Sequence, residues 1–279
     1  MDIVDTHVHI MAPDQRRYPR QLPADSQPQF GWARCDFSAE SLLAAMDEAG
    51  IRRALLVQAF NAYRSDNSYV ADMAEQYPER FRQVCIQDAR EPEATKKLAH
   101  WVQDRGAVAL RVMMQDRSYR LDDPRTTALI DAAVELNVPV CLYMHWDQIG
   151  LVARVLERHP DHPFALDHLG SPSLEEGPPY GHVQPLLDLA RHPNVLLKFS
   201  SSTVYASMAG LSSPRAWFSL LLERFGARRL MWGSNFPMDN RRGIPGLLAL
   251  AQETLGFVPE PERALMFGGN ALALWPFET

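Results

Sequence analysis

The 279-residue chain has few cysteines, no C-x-x-C pair and no long run of basic or apolar residues. Its three cysteines, Cys35, Cys85 and Cys141, are far apart and odd in number, which argues against a disulfide framework and a thiolate zinc site. No uninterrupted apolar run approaches the roughly 18 residues of a membrane span, and no basic and apolar leader precedes Asp2. We therefore expect a cytoplasmic protein without a membrane segment.

Basic residues are outnumbered, because 28 lysines and arginines against 34 acidic residues give a net charge of −6. Since no Lys/Arg cluster offsets this charge, we expect neither nucleic acid nor an anionic membrane as the partner. The hydrophobic content of 46% and charged content of 22% are typical of globular proteins. The expected partner is a small-molecule substrate, and the sequence carries no indication of oligomeric state.

Short apolar runs alternate with longer helical patterns along the chain. The runs cover residues 3–10, 53–59, 81–87, 108–114, 138–144, 163–169, 195–201 and 229–235. Apolar residues at i, i+3, i+4 and i+7 predict amphipathic helices over 38–50, 68–81, 94–106, 124–137, 148–160, 183–193 and 214–226. Strand and helix alternating eight times, roughly every 30 residues, predict one (β/α)8 barrel domain over residues 1–279. A doubly wound open sheet is the alternative, but it usually has a glycine-rich turn after its first strand.

The turn after the first predicted strand is rich in histidine instead. Residues 5–10 read DTHVHI, and because side chains at i and i+2 of a strand share a face, Asp5, His7 and His9 point the same way. By itself, this pattern fits a polar strand end in water equally well. The Pro-, Gln- and Arg-rich segment 12–36 is predicted to be a long loop at the mouth of the barrel.

Catalytic residues of (β/α)8 barrels lie at the carboxyl ends of different strands, where this chain has many polar side chains. They are His7, His9, Arg111, Tyr143, His145, Asp167, His168, Lys198, Ser200 to Ser202, Ser234 and Asn235. Single members have simpler explanations: His145 stacked on Trp146, or Lys198 as a strand-end lysine whose ammonium reaches water. Arg111 is different, because an arginine inside a barrel needs an anion or several carbonyls. Together they predict a pocket for an anionic or carbonyl substrate.

Five motifs, in order along nearly the whole chain, carry a family resemblance: DTHVHI, LRVMM, LDHLG, MWGSNFP and GGNALALW. H-x-H alone is weak, whereas H-x-H, D-H-x-G and G-S-x-x-P spaced over eight β/α units are specific. The chain thus resembles the amidohydrolase superfamily. Within it, the chain is similar to the amidohydrolase-related branch that holds sugar lactonases and 2-pyrone-4,6-dicarboxylate lactonase.

The resemblance implies roles for the matching residues. His7 and His9 match a strand-one pair that binds a divalent ion in metal-bearing relatives, and His168 matches the strand-six histidine, so these three are candidate ligands for zinc or manganese. Arg111 matches an arginine near the substrate carboxylate or carbonyl, and Tyr143 stands where the pyrone lactonase has tyrosine. Three neutral histidines leave an ion's charge unoffset, so weak metal retention and metal-independent catalysis are both open.

One residue departs from the family pattern. The strand-eight aspartate, which binds metal and takes a proton from water in relatives, is replaced by Asn235. A neutral amide cannot act as a general base. His145 is the first candidate for that role, since histidine titrates near pH 6.5, and Asp239 is the second.

These observations predict a hydrolase that opens a carboxylate- or hydroxyl-rich lactone, with or without a metal. The predicted catalytic residues are His7, His9, Arg111, Tyr143, His145, His168 and Asn235. Arg111, Tyr143, Trp32 and Trp146 are predicted to bind the substrate. Arginines near the mouth would suit a substrate carboxylate or simply face solvent: Arg16, Arg17, Arg20, Arg34, Arg241 and Arg242. The alternatives are a non-oxidative decarboxylase of the same superfamily and a non-catalytic ligand-binding protein on this scaffold.

Overall fold

Eight parallel strands follow one another around a single sheet in the order of the chain. The computed structural model describes residues 1–22, 37–114 and 118–277. The strands are β1 Ile3–Val8, β2 Ile51–Val57, β3 Phe81–Ile86, β4 Ala109–Met113, β5 Val140–Tyr143, β6 Phe164–Leu166, β7 Val195–Phe199 and β8 Leu230–Trp232. Seven of the predicted apolar runs contain one of these strands, and the run 53–59 overlaps β2, which begins two residues earlier at Ile51.

The first and last strands meet and close the barrel. Thr6 Oγ1 donates to the Trp232 carbonyl over 2.7 Å, and the Asn235 amide donates to the His7 carbonyl over 2.7 Å. Gly233 allows this approach, because a Cβ at that position would lie 2.6 Å from His7 Cβ. The prediction of a (β/α)8 barrel rather than an open sheet is therefore confirmed.

Helices follow the strands and cover the outside of the barrel. They are α1 Ala39–Ala49, α2 Phe60–Tyr63, α3 Ser68–Gln76, α4 Ala94–Ala99, α5 Pro124–Glu135, α6 Ile149–Arg158, α7 Gln184–Leu187, α8 Ser201–Ala206, α9 Pro214–Phe225, α10 Gly243–Thr254, α11 Glu260–Ala264 and α12 Asn270–Leu274. Local sequence sets the ends of α1, where Ser38 Oγ accepts from the Ser41 amide and Gly50 adopts φ +69°. Among the described helices, none has the length and apolar character needed to cross a membrane.

Two predicted helices differ from the expectation. The pattern at 94–106 begins as α4 and continues as the π-helix His100–Asp104. In the stretch 183–193, the α-helical part is only the single turn α7, which lies between two 3₁₀ turns. Both retain a buried apolar side, so periodicity located the segments, but it does not distinguish these hydrogen-bonding patterns.

Small side chains line the lower interior of the barrel around one large ring. Ala109, Cys141 and Ala165 belong to the same buried cluster as Trp275, which follows α12. Two residues further along their strands stand Arg111, Tyr143 and Asp167. Because strand side chains alternate between faces, the apolar layer leads upward into a polar one.

The first strand departs from this alternation. Val4 packs in the interior cluster, whereas Val8 belongs to the core between sheet and helices, although four residues separate them. The pairing of β1 with β2 shifts register between Asp5 and Val8. Such an irregularity re-aims side chains, and here it places His7 and His9 among the interior polar residues.

Candidate active site

A cavity of about 600 Å³ opens at the carboxyl ends of the strands. Six of the predicted catalytic residues line it: His9, Arg111, Tyr143, His145, His168 and Asn235. The other lining residues are Phe60, Asn61, Met113, Met114, Ser171, Ser202 and Met238. The described lining therefore contains one guanidinium, three imidazoles and no acidic side chain.

The three other predicted site residues are not part of this described lining. His7 is fully buried, directly against His9 and His168, rather than in the lining. The Trp146 ring packs against the His182 ring, with 5.5 Å between the ring centroids. Trp32 lies outside the described residues.

Three histidines lie side by side at the bottom of the cavity. The His7 ring centroid is 5.0 Å from that of His9 and 4.6 Å from that of His168. Two of these rings are hydrogen-bonded through Nδ1. His9 Nδ1 is 2.9 Å from the Val57 carbonyl, and His168 Nδ1 is 2.8 Å from Ser200 Oγ. Because Nδ1 of His168 is engaged by Ser200, His168 would meet a bound molecule through Nε2.

Burial keeps these rings neutral. It lowers the pKa of His9 to about 3 and that of His168 to about 4, and the nearby Arg111 charge adds to the effect in both. The pKa of His7 is also held well below its ordinary value, because burial outweighs the attraction of Asp167. Near neutral pH, the cluster therefore offers uncharged imidazoles.

Asp167 forms the centre of a buried charged layer beneath the cavity. Arg111 Nε donates to Asp167 Oδ2 over 2.7 Å, and Lys198 Nζ lies 3.4 Å from Oδ1. His7 Nδ1 is 3.6 Å from the same oxygen. Although burial opposes ionisation of Asp167, the surrounding cations hold its pKa well below the ordinary value. Asp167 is an anion held between two cations.

Lys198 does not reach water, so the simple explanation as a strand-end lysine is wrong. Its side chain is 2% exposed, and its ammonium contacts Asp167, Cys141 Sγ at 3.3 Å and the Trp275 ring at 5.2 Å. Burial lowers the pKa of Lys198, but Asp167 and Cys141 raise it by more than that, so the net pKa is above its ordinary value and the ammonium stays protonated. Lys198 adds positive potential beneath the cavity.

A left-handed turn carries His168 into the cavity. His168, Leu169, Gly170 and Ser171 follow β6 with φ values of +53°, +57°, +72° and +55°. This region is costly for non-glycine residues, at roughly 1–3 kcal/mol each, and persists only where packing enforces it. The turn thus holds His168 and Ser171 in the lining at a cost in stability.

Asn235 and Asp239 take different directions after β8. Asn235 adopts φ +57°, a conformation that asparagine tolerates, and is 8% exposed in the lining. Asp239 Oδ1 accepts from the backbone amide of Arg241 at 3.2 Å and from its Nε at 3.1 Å. Although burial raises the pKa of Asp239, the Arg241 and Tyr205 hydrogen bonds lower it overall. The second candidate base is thus turned to Arg241.

Several mouth arginines are engaged outside the cavity. Arg17 pairs with Asp72 at 2.6 Å, and Arg20 Nη2 donates to the Ala12 carbonyl at 3.3 Å. Arg242 Nε donates to the Tyr205 hydroxyl at 3.1 Å. Arg34 lies outside the described residues. Among described residues, Arg111 is the arginine that lines the cavity.

The barrel, the strand-end histidines and the motif order agree with a family match over residues 4–277, described as amidohydrolase. The chain belongs to the amidohydrolase family. This membership confirms the predicted resemblance and the prediction of an enzyme.

Known proteins similar to this amidohydrolase include a curated lactonase and two solved structures. The chain is 26% identical over 244 residues to the L-fucono-1,5-lactonase of Burkholderia ambifaria, covering 85% of this chain and 84% of that protein. A probable 2-pyrone-4,6-dicarboxylic acid hydrolase from Acinetobacter baumannii with citric acid bound superposes with a TM-score of 0.79 at 18% identity over 99% of this chain and all of that one. An amidohydrolase from Burkholderia multivorans with bound zinc gives 0.78 at 20% identity over the whole of both chains. At these identities the two structures show the shared fold.

The donor set in this amidohydrolase does not fit a divalent ion well. Within the described residues, no three His, Cys, Asp or Glu side chains converge around one point that could hold a metal. Asp167 Oδ1 lies 3.6 Å from His7 Nδ1, and Arg111 and Lys198 already offset the charge of Asp167. The two adjacent cations would repel a dication, and the neutral Asn235 would add no charge to balance it. The predicted zinc or manganese site of His7, His9 and His168 is not supported by this arrangement.

Sequence reasoning missed the importance of Asp167 and of two serines. Asp167 stood at a strand end but had no predicted role. Its partner Lys198 lies 31 residues later in the chain, on the neighbouring strand β7, so no local pattern in the sequence indicated the pairing. Ser200 and Ser202 form a hydrogen-bonded pair beside His168. The D-H pair after β6 and the S-S-S run after β7 were the available signals.

Proposed function

We propose that this amidohydrolase opens the ring of a lactone by attack of water on its carbonyl carbon. The observation that carries the proposal is the cavity lining, which combines Arg111 with three imidazoles and has no acidic side chain in its described part. The tetrahedral intermediate of ester hydrolysis places negative charge on the former carbonyl oxygen. A preorganised positive site that excludes carboxylates stabilises that charge.

Arg111 is the group proposed to stabilise the oxyanion. Its Nε is committed to Asp167, its carbon Cζ lies 5.1 Å from the Tyr143 ring centroid, and Nη1 contacts Met113 Sδ at 3.5 Å. These contacts fix the guanidinium plane, so its remaining N–H groups can meet the substrate with little reorganisation. Lys198 beneath the layer strengthens the positive potential without touching the substrate.

Two imidazoles of the lining are proposed to transfer protons. Ring opening needs a group that takes a proton from the attacking water and another that gives one to the departing ring oxygen. His145 is the proposed base, as the sequence predicted, while Asn235 can orient the water through its amide. His168 Nε2 is the proposed donor to the ring oxygen, because its Nδ1 is held by Ser200.

The shape and chemistry of the cavity support a substrate class. About 600 Å³ accommodates a five- or six-membered lactone with substituents. Arg111 and the nearby imidazoles suit a carboxylate or several hydroxyls, and Phe60, Met114 and Met238 form an apolar wall for the ring face. The names of the relatives, an L-fucono-1,5-lactonase and a probable pyrone dicarboxylic acid hydrolase, support this class. A small-molecule lactone is thus the proposed substrate, and the cytoplasmic location stays a prediction.

The test is a hydrolysis assay with a pH indicator over sugar lactones and pyrone carboxylates, run with the wild-type protein and Arg111→Met. We expect turnover by the wild type and a loss in kcat/KM on the order of 10²–10³ in the variant, because one oxyanion donor is removed. Its thermal unfolding, measured in parallel, separates lost chemistry from lost fold. Carbon dioxide release from aromatic carboxylates without lactone turnover would favour the decarboxylase, and tight binding without any turnover would favour a binding protein.

A further inference from the structure

A chain of hydroxyl groups connects His168 back to the cavity that it lines. His168 Nδ1 and Ser200 Oγ are 2.8 Å apart, and Ser200 Oγ and Ser202 Oγ are again 2.8 Å apart. Ser200 is buried, whereas Ser202 is exposed and lines the cavity together with His168. The chain therefore starts at a ring in the cavity, passes through a buried hydroxyl and ends at an exposed hydroxyl on the same cavity.

The backbone around Ser200 keeps its hydroxyl in place. Ser200 stands between the end of β7 and the start of α8, its amide donates to Thr203 Oγ1 at 2.8 Å, and its carbonyl accepts from the Thr203 amide. A serine hydroxyl donates one proton and accepts others, and it can rotate to reverse the direction of donation. Both directions are open here, because an imidazole nitrogen and a hydroxyl can each donate or accept.

We propose that Ser200 and Ser202 form a relay that returns a proton to His168 while His168 protonates the departing ring oxygen of the substrate. This inference rests on the proposed lactonase function. Ser200 is a positioning residue that acts through His168, and Ser202 connects it to the water of the cavity.

The proton steps balance without an imidazolium form of His168. As the ring C–O bond breaks, its electron pair stays on the ring oxygen, which takes the proton from His168 Nε2. Nδ1 takes the proton of Ser200, Ser200 takes that of Ser202, and Ser202 takes one from a cavity water. The hydroxide so formed is neutralised by the proton that His145 removed from the attacking water. His168 ends as the other neutral tautomer, and reversing the chain resets it.

The kinetic test compares leaving groups of different basicity. δ-Valerolactone releases an alkoxide, which must be protonated, whereas dihydrocoumarin releases a phenolate, which is stable without a proton. For Ser202→Ala we expect kcat on δ-valerolactone to fall about tenfold or more with KM little changed, while kcat on dihydrocoumarin falls less than about twofold. Ser202→Thr, which keeps the hydroxyl, should restore most of the activity. Equal losses on both substrates would overturn the relay.

Ser207→Ala is the matched control. Ser207 follows the same helix, and its hydroxyl donates to the Val204 carbonyl, outside the relay. We expect it to leave the kcat ratio of the two lactones unchanged. Ser200→Ala tests the buried link and should reproduce the leaving-group dependence of Ser202→Ala.

A measurement on the resting protein separates failure of the relay from failure of the proposed function. In ¹⁵N-labelled protein, NMR reports how fast the ring N–H proton of His168 exchanges with water. We expect slower exchange in Ser202→Ala than in the wild type and in Ser207→Ala. Slower exchange without turnover of any lactone would support the relay and refute the lactonase. Equal exchange in all three proteins would refute the relay, whatever the enzyme hydrolyses.

Discussion

The polar layer beneath the cavity contains fixed charges, whereas the described polar groups His9, His168 and the serine chain in and beside the cavity wall are neutral. Beneath the cavity, Asp167 is buried between Arg111 and Lys198, so its charge is fixed and compensated. Around the wall, His9 and His168 are neutral and the serine chain can reverse its direction. In the proposed mechanism, the lower layer supplies a constant potential and the upper one supplies movable protons.

Removal of the central carboxylate should have the largest effect. Asp167→Asn leaves Arg111 and Lys198 buried without a counter-charge, so we expect the free energy of unfolding to fall by roughly 3–5 kcal/mol. Urea unfolding at neutral pH measures it. Asp131→Asn, which breaks a partly exposed pair with Arg158, is the matched control and should change stability far less. Equal effects of the two variants would mean that the buried layer is no more costly to break than a surface pair.

The choice between the two candidate bases comes next. His145→Ala should lower kcat on the order of 10²-fold if His145 takes the proton from water. Asp239→Asn should leave kcat nearly unchanged, because Asp239 is turned to Arg241. Steady-state kinetics on one lactone measure both. A large loss for Asp239→Asn with little for His145→Ala would reverse the assignment.

The wall histidines should make stability depend on pH. The folded-state pKa of His168 is about 4 and that of His9 about 3, against an ordinary value of 6.5. Below pH 6.5 these histidines bind protons in the unfolded chain but stay neutral in the folded one. The free energy of unfolding therefore falls as the pH drops toward 4, by about 1.4 kcal/mol per pH unit for each ring. Asp167 keeps most of its contribution over this range, because a depressed carboxyl pKa stabilises the fold above the ordinary aspartate pKa of about 3.9, and this stabilisation is lost as the pH falls below that value.

Urea unfolding between pH 7 and pH 4 tests this dependence. His9→Gln, which cannot titrate, should reduce the slope by about one proton's worth, or roughly 1.4 kcal/mol per pH unit. Stability that stays level from pH 6.5 to pH 4 would contradict the neutral-imidazole wall.

Chelation should have the smallest effect. Since the described side chains around His7 do not converge on a metal position, we expect lactone turnover to survive dialysis against a chelator. Metal content by elemental analysis, before and after dialysis, accompanies the assay. Activity that disappears with the metal and returns with zinc or manganese would contradict this and restore the predicted metal site.

Most of the fold and part of the site could be predicted from the sequence. Strand alternation and the helical period are local properties, so the eight repeats and the cap residues Ser38 and Gly50 could be recognised without tertiary contacts. Six predicted residues at the strand ends line the cavity. They could be predicted because parallel strands in a barrel bring their carboxyl ends together at one rim.

What lay beyond the sequence depends on contacts between distant segments. The pairing of Asp167 with Lys198, the position of Trp275 under Cys141, and the turn of Asp239 toward Arg241 are set by side-chain direction and packing. The register shift in β1 is a similar case, because strict alternation would not have placed both Val4 and His7 inside the barrel.

By itself, the sequence determined a (β/α)8 barrel of the amidohydrolase family with an arginine and histidines at one end, because periodicity and motif order are written along the chain. Only the tertiary structure decided which charges are compensated and which imidazoles and hydroxyl groups are hydrogen-bonded to one another. Those properties depend on burial and on distances of about 3 Å between residues of different strands, which one-dimensional spacing does not fix.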